Sequence, residues 1–242
     1  MTEQRLQKIL AAAGIDSRRK CEELILTGSV RVNRKVVDTL PAFADPEKDI
    51  ITVDGKKINA AKKVYFLLNK PKGAICTNRD PAGRTKAIDL VQTSERVFCV
   101  GRLDADTTGL IILTNDSELS NKLTHPRYEL TKTYIVRVKG QITVEQIEKI
   151  KKGIWLAEGK TGRASVKILN RSHKESLIEV SIRQGLNRQV RRTLARIGLS
   201  VKSLKRTQIG KLSDRGLGVG RFRKLTGAEI KYLKKVTAKS EI

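Results

Sequence analysis

Gly101-Arg102-Leu103-Asp104-Ala105-Asp106-Thr107-Thr108-Gly109 leads straight into Leu110-Ile111-Ile112-Leu113-Thr114-Asn115, and the apolar run Val97 to Val100 precedes it. Short apolar runs punctuated by glycine read as buried strands. The spacing therefore predicts two strands around a nine-residue loop that holds one arginine and two aspartates. A loop at the end of buried strands is where a scaffold presents a carboxylate rigidly. On pattern alone, a turn whose carboxylates accept its own backbone N–H groups fits slightly better. Working outward, Val64 to Leu68 reads as a buried strand ending at Asn69-Lys70-Pro71-Lys72-Gly73, with extended structure resuming at Ala74 to Thr77. Thr143 to Lys152 has helical spacing closed by Gly153, and Arg163–Leu169 and Ser176–Arg183 alternate like two paired strands. Gln184 to Arg192 enters a helix running to Ile197-Gly198, with Val190, Leu194 and Ile197 on its apolar face. A basic strand follows at Val201 to Arg206, the glycines of 216–220 form a connection, and Thr226 to Val236 closes the chain as a helix.

Metal readings of the central loop fit poorly. Asp104-x-Asp106-x-Thr108-Gly109 imitates half of an EF-hand, but its twelfth position is Asn115 and its flanks read as strands. A phosphatase of the Asp-x-Asp type needs a downstream acidic pair for Mg²⁺, and beyond residue 180 the acids are only Asp214, Glu229 and Glu241. His125 and His173 are too few for a zinc site or a histidine triad. Cys21, Cys76 and Cys99 lie far apart and form no disulfide framework. These patterns offer no metal site.

Charge points to a partner. Lys and Arg number 50 against 25 Asp and Glu, a net charge of +25. Residues 1–61 hold 11 basic and 9 acidic side chains, 62–150 hold 15 and 10, and 151–242 hold 24 and 6. Basic residues interleaved with Val, Ile and Leu in a folded segment suit a polyphosphate track better than a solvated tail. No apolar run approaches the ~20 residues of a spanning helix, and no apolar stretch follows the first residues as a signal peptide requires. The sequence reads as a cytoplasmic protein that faces nucleic acid and no membrane.

At the N-terminus, Leu6, Ile9, Leu10 and Ala13 share a helical face ended by Gly14, and Asp16-Ser17 caps a second helix carrying Cys21, Leu24 and Ile25. Val30–Val32 and Val36–Val37 flank Asn33-Arg34-Lys35 as a hairpin, and Ile50–Val53 with Lys56–Ile58 adds another strand and turn. Arg18, Arg19 and Lys20 at a helix start suit a phosphate, and equally a solvated terminus. The ordered set Arg5-Leu6-x-x-x-Leu10-Ala11, Gly14, Ser17-Arg18-Arg19, Leu24-Ile25, Gly28 and Val30-x-Val32-Asn33 resembles the S4 RNA-binding domain. That resemblance implies that Arg18, Arg19 and the hairpin from Arg31 to Arg34 face RNA.

Gly101-Arg102-Leu103-Asp104, then Thr108-Gly109-Leu110 through Thr114-Asn115-Asp116, resembles the signature of the ribosomal RNA pseudouridine synthases, in the branch related to the small-subunit enzyme. The N-K-P-x-G motif stands at Asn69–Gly73 and K-x-Y at Lys132-Thr133-Tyr134. Asn187-Arg188-Gln189 occupies the place of the family's His-Gln, a variant of the large-subunit-acting branch. The resemblance implies an α+β chain: a small S4 domain at 1–61, then a catalytic domain at 62–237 on a mixed, largely antiparallel sheet. It implies Asp104 as the catalytic carboxylate, Arg191 as its partner and Tyr134 stacked on a flipped uracil. Arg102 then fills the vacated stack or binds a phosphate, and Lys70, Asn187 and Arg188 join Arg18, Arg19, Lys20, Arg31 and Arg34 as RNA contacts.

Pseudouridine formation breaks the C1′–N1 bond, turns the uracil and joins C5 to C1′. That reaction involves no redox change and no group transfer, so the resemblance implies no metal and no cofactor, and an ionised carboxylate beside the sugar is the main requirement. The expected substrate is ribosomal RNA, most directly 23S, with transfer RNA left open, and the expected state is a monomer. The rival reading is a non-catalytic S4-domain ribosome-assembly factor, against which Asp104, Tyr134 and Arg191 stand together.

Overall fold

Leu6, Ile9 and Leu10 recur at helical spacing, and in the computed structural model, which describes residues 3–238, α1 (Leu6–Ala12) buries all three. The chain divides into two units, one of residues up to 64 with 93–96 and 115–117, the other of the remainder. In the first, α1 is followed by α2 (Arg18–Leu26), whose first turn is capped by Ser17 Oγ accepting the Lys20 N–H at 3.3 Å. Strand β1 (Gln4–Arg5) precedes α1, and β2 (Val30–Val32), β3 (Lys35–Val37), β4 (Phe43–Ala44), β5 (Ile51–Val53) and β6 (Lys56–Lys57) follow α2. A four-stranded antiparallel sheet runs β3-β2-β5-β6, while β1 pairs with β4. The β2–β3 turn is Asn33-Arg34, both at positive φ (50° and 71°), as a two-residue hairpin demands. Leu6, Leu10, Cys21, Ile25 and Val30 are fully buried and form this unit's core. Asn115 fastens the exit of the chain: its Oδ1 accepts the Val64 N–H at 2.9 Å and its Nδ2 donates to the Lys62 carbonyl at 2.8 Å.

The second unit is built on a nine-stranded mixed sheet. Its strands are β7 (Tyr65–Lys70), β8 (Phe98–Cys99), β9 (Thr108–Thr114), β10 (Lys132–Lys139), β13 (Ser165–Arg171), β14 (Glu175–Ile182), β15 (Val201–Ile209), β16 (Leu212–Ser213) and β17 (Phe222–Lys224), with β11 (Trp155–Leu156) and β12 (Gly159–Lys160) forming a separate hairpin. The main order is β13-β14-β10-β15-β9-β7-β17. Every pairing is antiparallel except β15 with β9, which meet in parallel at Lys205–Thr108 and Arg206–Gly109. All six residues of β7 are buried, which explains its unbroken apolar reading: both faces are covered. Helices α3 (Ser117–Thr124), α4 (Val144–Lys152), α5 (Gln189–Arg196) and α6 (Gly227–Ala238) complete the unit, and Leu119, Leu123 and Leu233 join Leu67, Leu110 and Ile112 in its core. No helix among the described residues is long and apolar enough to cross a membrane.

Three local readings are corrected. Extended structure after Gly73 amounts to one bridge, Ile75 to Lys86, because the loop turns away instead of pairing. Thr108 and Gly109 belong to β9, drawn into it by the parallel contact with β15, so the aspartate loop is shorter than the spacing suggests. The stretch Gln184–Arg188 stays outside α5, which starts at Gln189.

The first turn of α6 gives a pH test. Glu229 Oε2 accepts the Thr226 N–H at 2.8 Å, and Arg223 grips both carboxylate oxygens at 2.7 and 2.8 Å. Those Arg223 hydrogen bonds first, with the Thr226 N–H, draw Glu229 from its ordinary 4.5 to about 2. A lowered carboxyl adds stability that is complete above 4.5 and is lost as the pH falls toward about 2. In urea unfolding, Glu229→Gln should be less stable than the parent near neutral pH, with the gap shrinking through that window. A gap that ignores pH would remove the ion pair as its cause.

Candidate active site

Leu103 decides how the aspartate loop sits. Its side chain is buried and its N–H donates to Cys76 Sγ at 3.4 Å, so the next residue, Asp104, is held half-exposed at the surface of a cavity. A turn closes behind it, Thr107 N–H donating to the Asp104 carbonyl at 3.1 Å. The carboxylates of Asp104 and Asp106 face guanidinium groups rather than the turn's own N–H groups. Arg188 Nη1 lies 3.2 Å from Asp104 Oδ2 and 3.6 Å from Asp106 Oδ1, and Arg191 Nη2 lies 3.1 Å from Asp106 Oδ2.

This corrects the expected pairing of Asp104 with Arg191. Arg188 sits just before α5 in the left-handed conformation (φ 47°, ψ 30°), which turns its side chain onto Asp104. A non-glycine residue in that conformation is strained, and such strain concentrates at functional sites. Arg191, in the first turn of the helix and 13% exposed, reaches Asp106 and also donates to the Asp106 carbonyl at 3.2 Å and to Thr107 Oγ1 at 3.4 Å. Its Nε has no hydrogen-bond partner among the described residues. Two forked cations thus clamp one loop, with Arg188 on the first carboxylate and Arg191 on the second.

The cavity has a volume of about 150 Å³, and its lining includes Arg102, Asp104, Lys132, Tyr134, Arg188 and Arg206. Lys132 and Tyr134 stand two apart on β10, so both project from one face of the sheet. Tyr134 is 8% exposed, its register partner across β15 being Arg206. Burial, with the neighbouring positive charge of Arg206, pushes the Lys132 ammonium down to about 8. Arg206 is itself buried, its Nε donating to the Leu110 carbonyl at 2.6 Å and its Nη2 unpartnered among the described residues.

Lys70 is not at the surface. It is fully buried, and its Nζ donates to the carbonyls of Pro71 at 3.0 Å and Ala74 at 2.6 Å, so it ties the N-K-P-x-G turn and cannot meet a phosphate. Burial pushes its ammonium down, partly opposed by the charge of Cys76. Arg102 and Asn187 are exposed. In the other unit Arg18, Arg19, Lys20, Arg31 and Arg34 are all exposed, with Lys20 paired to Glu23. Sequence reasoning gave no role to the second layer of the site. The Cys76 and Cys99 thiols interact, which draws Cys76 down and pushes Cys99 up, and Lys70 and Arg206 add positive charge beside both. Arg206 and these thiols lie on separate elements, and no spacing connects them. Lys132 alone carried a signal, its alternation with Tyr134. Among the described residues no three His, Cys, Asp or Glu side chains converge as a metal-holding group.

The family model described as RNA pseudouridylate synthase matches residues 64–196, and the S4 domain model matches residues 4–40. A protein named ribosomal large subunit pseudouridine synthase B from Bacillus subtilis (strain 168) is 46% identical over 234 residues, spanning 96% of this chain and 96% of its own length. An uncharacterized RNA pseudouridine synthase from Aquifex aeolicus is 41% identical over 235 residues, spanning 96% and 94%. A solved structure described as a pseudouridylate synthase is similar with a TM-score of 0.69 at 29% identity, over 95% of this chain and 99% of the other.

Proposed function

This chain belongs to the RNA pseudouridylate synthase family, and from that premise we propose that it isomerises uridine in large-subunit ribosomal RNA with Asp104 as the carboxylate that starts the reaction. The observation that carries the reading is the meeting of Asp104, Arg188 and Tyr134 at one cavity. The target uridine leaves its stack at a cost of a few kcal/mol and enters beside Asp104. Stacking on Tyr134 returns ~1–3 kcal/mol. The Asp104 carboxylate then acts at the sugar or the base, the C1′–N1 bond opens, the uracil turns, and C5 bonds to C1′ with loss of the C5 proton while N1 takes up a proton. Arg188 balances the carboxylate and holds its direction, while Arg191 fixes the loop through Asp106 and Thr107. Arg102, exposed at the cavity, fills the gap in the RNA stack or binds a phosphate.

The choice of large-subunit RNA rests on the name of the Bacillus relative and on Asn187-Arg188-Gln189, whose arginine is the one that meets Asp104. In the same reading the exposed cations of the S4 unit bind RNA, and the enzyme acts as a cytoplasmic monomer without a cofactor. Tritium release from ribosomal RNA labelled with [5-³H]uridine, in EDTA, tests it, since the new C–C bond expels the C5 hydrogen. Release is expected from 23S RNA. Release from 16S or transfer RNA instead would move the target, and none from any RNA would overturn the reading.

Arg188→Met should lower the single-turnover rate about a hundredfold, the scale of losing one preorganised charged donor, with little change in RNA affinity. An equal loss in Arg191→Met with no loss in Arg188→Met would return the Asp104 partnership to Arg191.

A further inference from the structure

The one tryptophan of the chain, Trp155, is 68% exposed on the β11–β12 hairpin. Exposure of so large an apolar ring has a cost, and the hairpin is not loosely built. At its root Ile154 N–H donates to Thr161 Oγ1 and Thr161 N–H to the Ile154 carbonyl, both at 2.9 Å. Gly153 packs so tightly there that a Cβ would stand 2.2 Å from the Thr161 carbonyl oxygen. At its tip Glu158 holds Arg192 of α5 through two hydrogen bonds of 2.6 and 2.7 Å. The indole is therefore presented on a fixed support, with Trp155, Leu156 and Ala157 on one side of an open groove and Arg192, Ala195 and Arg196 on the other.

The charge around this groove selects its occupant. Arg192 is consumed by Glu158, but Arg196 is exposed and makes no ion pair among the described residues, and Lys160 stands across from Trp155 in the hairpin register. An aromatic face beside free cations takes a nucleic-acid base on the ring and its phosphate on the cations. The groove and the cavity share a support in α5, whose start, Gln189 and Val190, lines the cavity and whose later turns, Arg192, Ala195 and Arg196, line the groove. Arg192 and Arg196 are four apart on one face of α5, so the groove extends to about 10 Å along the axis from the helix start at Gln189, the residue next to the one that meets Asp104.

We propose that Trp155 and Arg196 form a stacking shelf for an unpaired nucleotide of the RNA, a few positions from the target uridine. This rests on the reading of RNA as substrate and adds a second base-binding position to it. Because the chain has one tryptophan, its fluorescence reports the shelf directly.

The test titrates the full-length protein with a short oligouridylate, reading indole emission and the anisotropy of a labelled copy of the same RNA. Quenching that saturates with binding and weakens with salt is expected. Trp155→Leu should weaken binding about tenfold, Trp155→Phe should restore most of it, and Arg196→Ala should lower its salt dependence. With 23S RNA the Trp155→Leu loss should fall on KM rather than kcat. RNA that binds by anisotropy while the indole is silent, or a Trp155→Leu variant that binds as the parent does, overturns the shelf alone. Emission that shifts with protein concentration and no RNA assigns the groove to a second copy of the chain. Absence of any RNA binding by the parent overturns the substrate reading with it.

Discussion

Replacing Asp104 by asparagine should lower tritium release by about four orders of magnitude or more, the scale seen when a covalent nucleophile is removed, while leaving the protein folded. Asparagine keeps the shape of the side chain and removes only its charge. The site tolerates that change structurally, because the carboxylate is 29% exposed and Arg188 retains Asp106 within reach at 3.6 Å. An exposed ion pair of this kind contributes ~1 kcal/mol or less to stability, so the thermal midpoint should barely move. Asp106 is the internal control. It faces Arg188 and Arg191, and its own carbonyl holds Arg191, but its side chain is absent from the cavity wall. Asp106→Asn should therefore lose about tenfold through a looser loop, within the range of a weakened charge-assisted contact. Single-turnover release by the two variants, with circular dichroism on both, decides the matter. A dead Asp106→Asn beside an active Asp104→Asn would transfer the role to the second aspartate.

The residues from 101 to 115 were legible because their information is local. Glycine, a short polar turn and an apolar run announce a strand junction, and the resemblance then gave the Asp104, Tyr134 and S4 positions. What stayed hidden depends on tertiary contact. Lys70 looks like a surface cation in a Lys-Pro-Lys-Gly turn, and only the fold shows two carbonyls enclosing its ammonium. Arg188 and Arg191 are equivalent in a helical projection, and the left-handed backbone at Arg188, which no periodicity reveals, assigns them to different carboxylates. Arg206 reads as one more basic residue in a basic strand. It is a cavity wall because β15 meets β9 in parallel, a non-local pairing between residues about a hundred positions apart. Local pattern fixes where elements begin, whereas pairing decides which side chains share a space.

That parallel seam is also where the largest structural effect is expected, at Gly109. The contact between β15 and β9 spans two residue pairs and joins β13-β14-β10-β15 on one side to β9-β7-β17 on the other. Asp104 precedes β9, and Tyr134 belongs to β10, so the cavity is assembled across this seam. Gly109 has φ +103°, and a Cβ placed on it would stand 2.2 Å from the Arg206 carbonyl oxygen and 2.6 Å from the Arg206 nitrogen. Both obstacles are backbone atoms, so no rotamer relieves the clash and the strands must separate. Separation also strains the 2.6 Å hydrogen bond from Arg206 Nε to the Leu110 carbonyl. Gly109→Ala should cost about 3 kcal/mol or more, a fall in Tm of roughly 10 °C for a chain of this size. The surviving folded fraction should also release tritium slowly, since Asp104 and Tyr134 no longer hold their separation. Gly140→Ala is the matched comparison: its φ is +81° and nothing lies within 4 Å of its added Cβ, so it carries the backbone strain without the clash. It should lose about 1 kcal/mol and keep full activity. Equal losses of stability in the two variants would mean that the seam yields easily and that the glycine serves only its backbone angle.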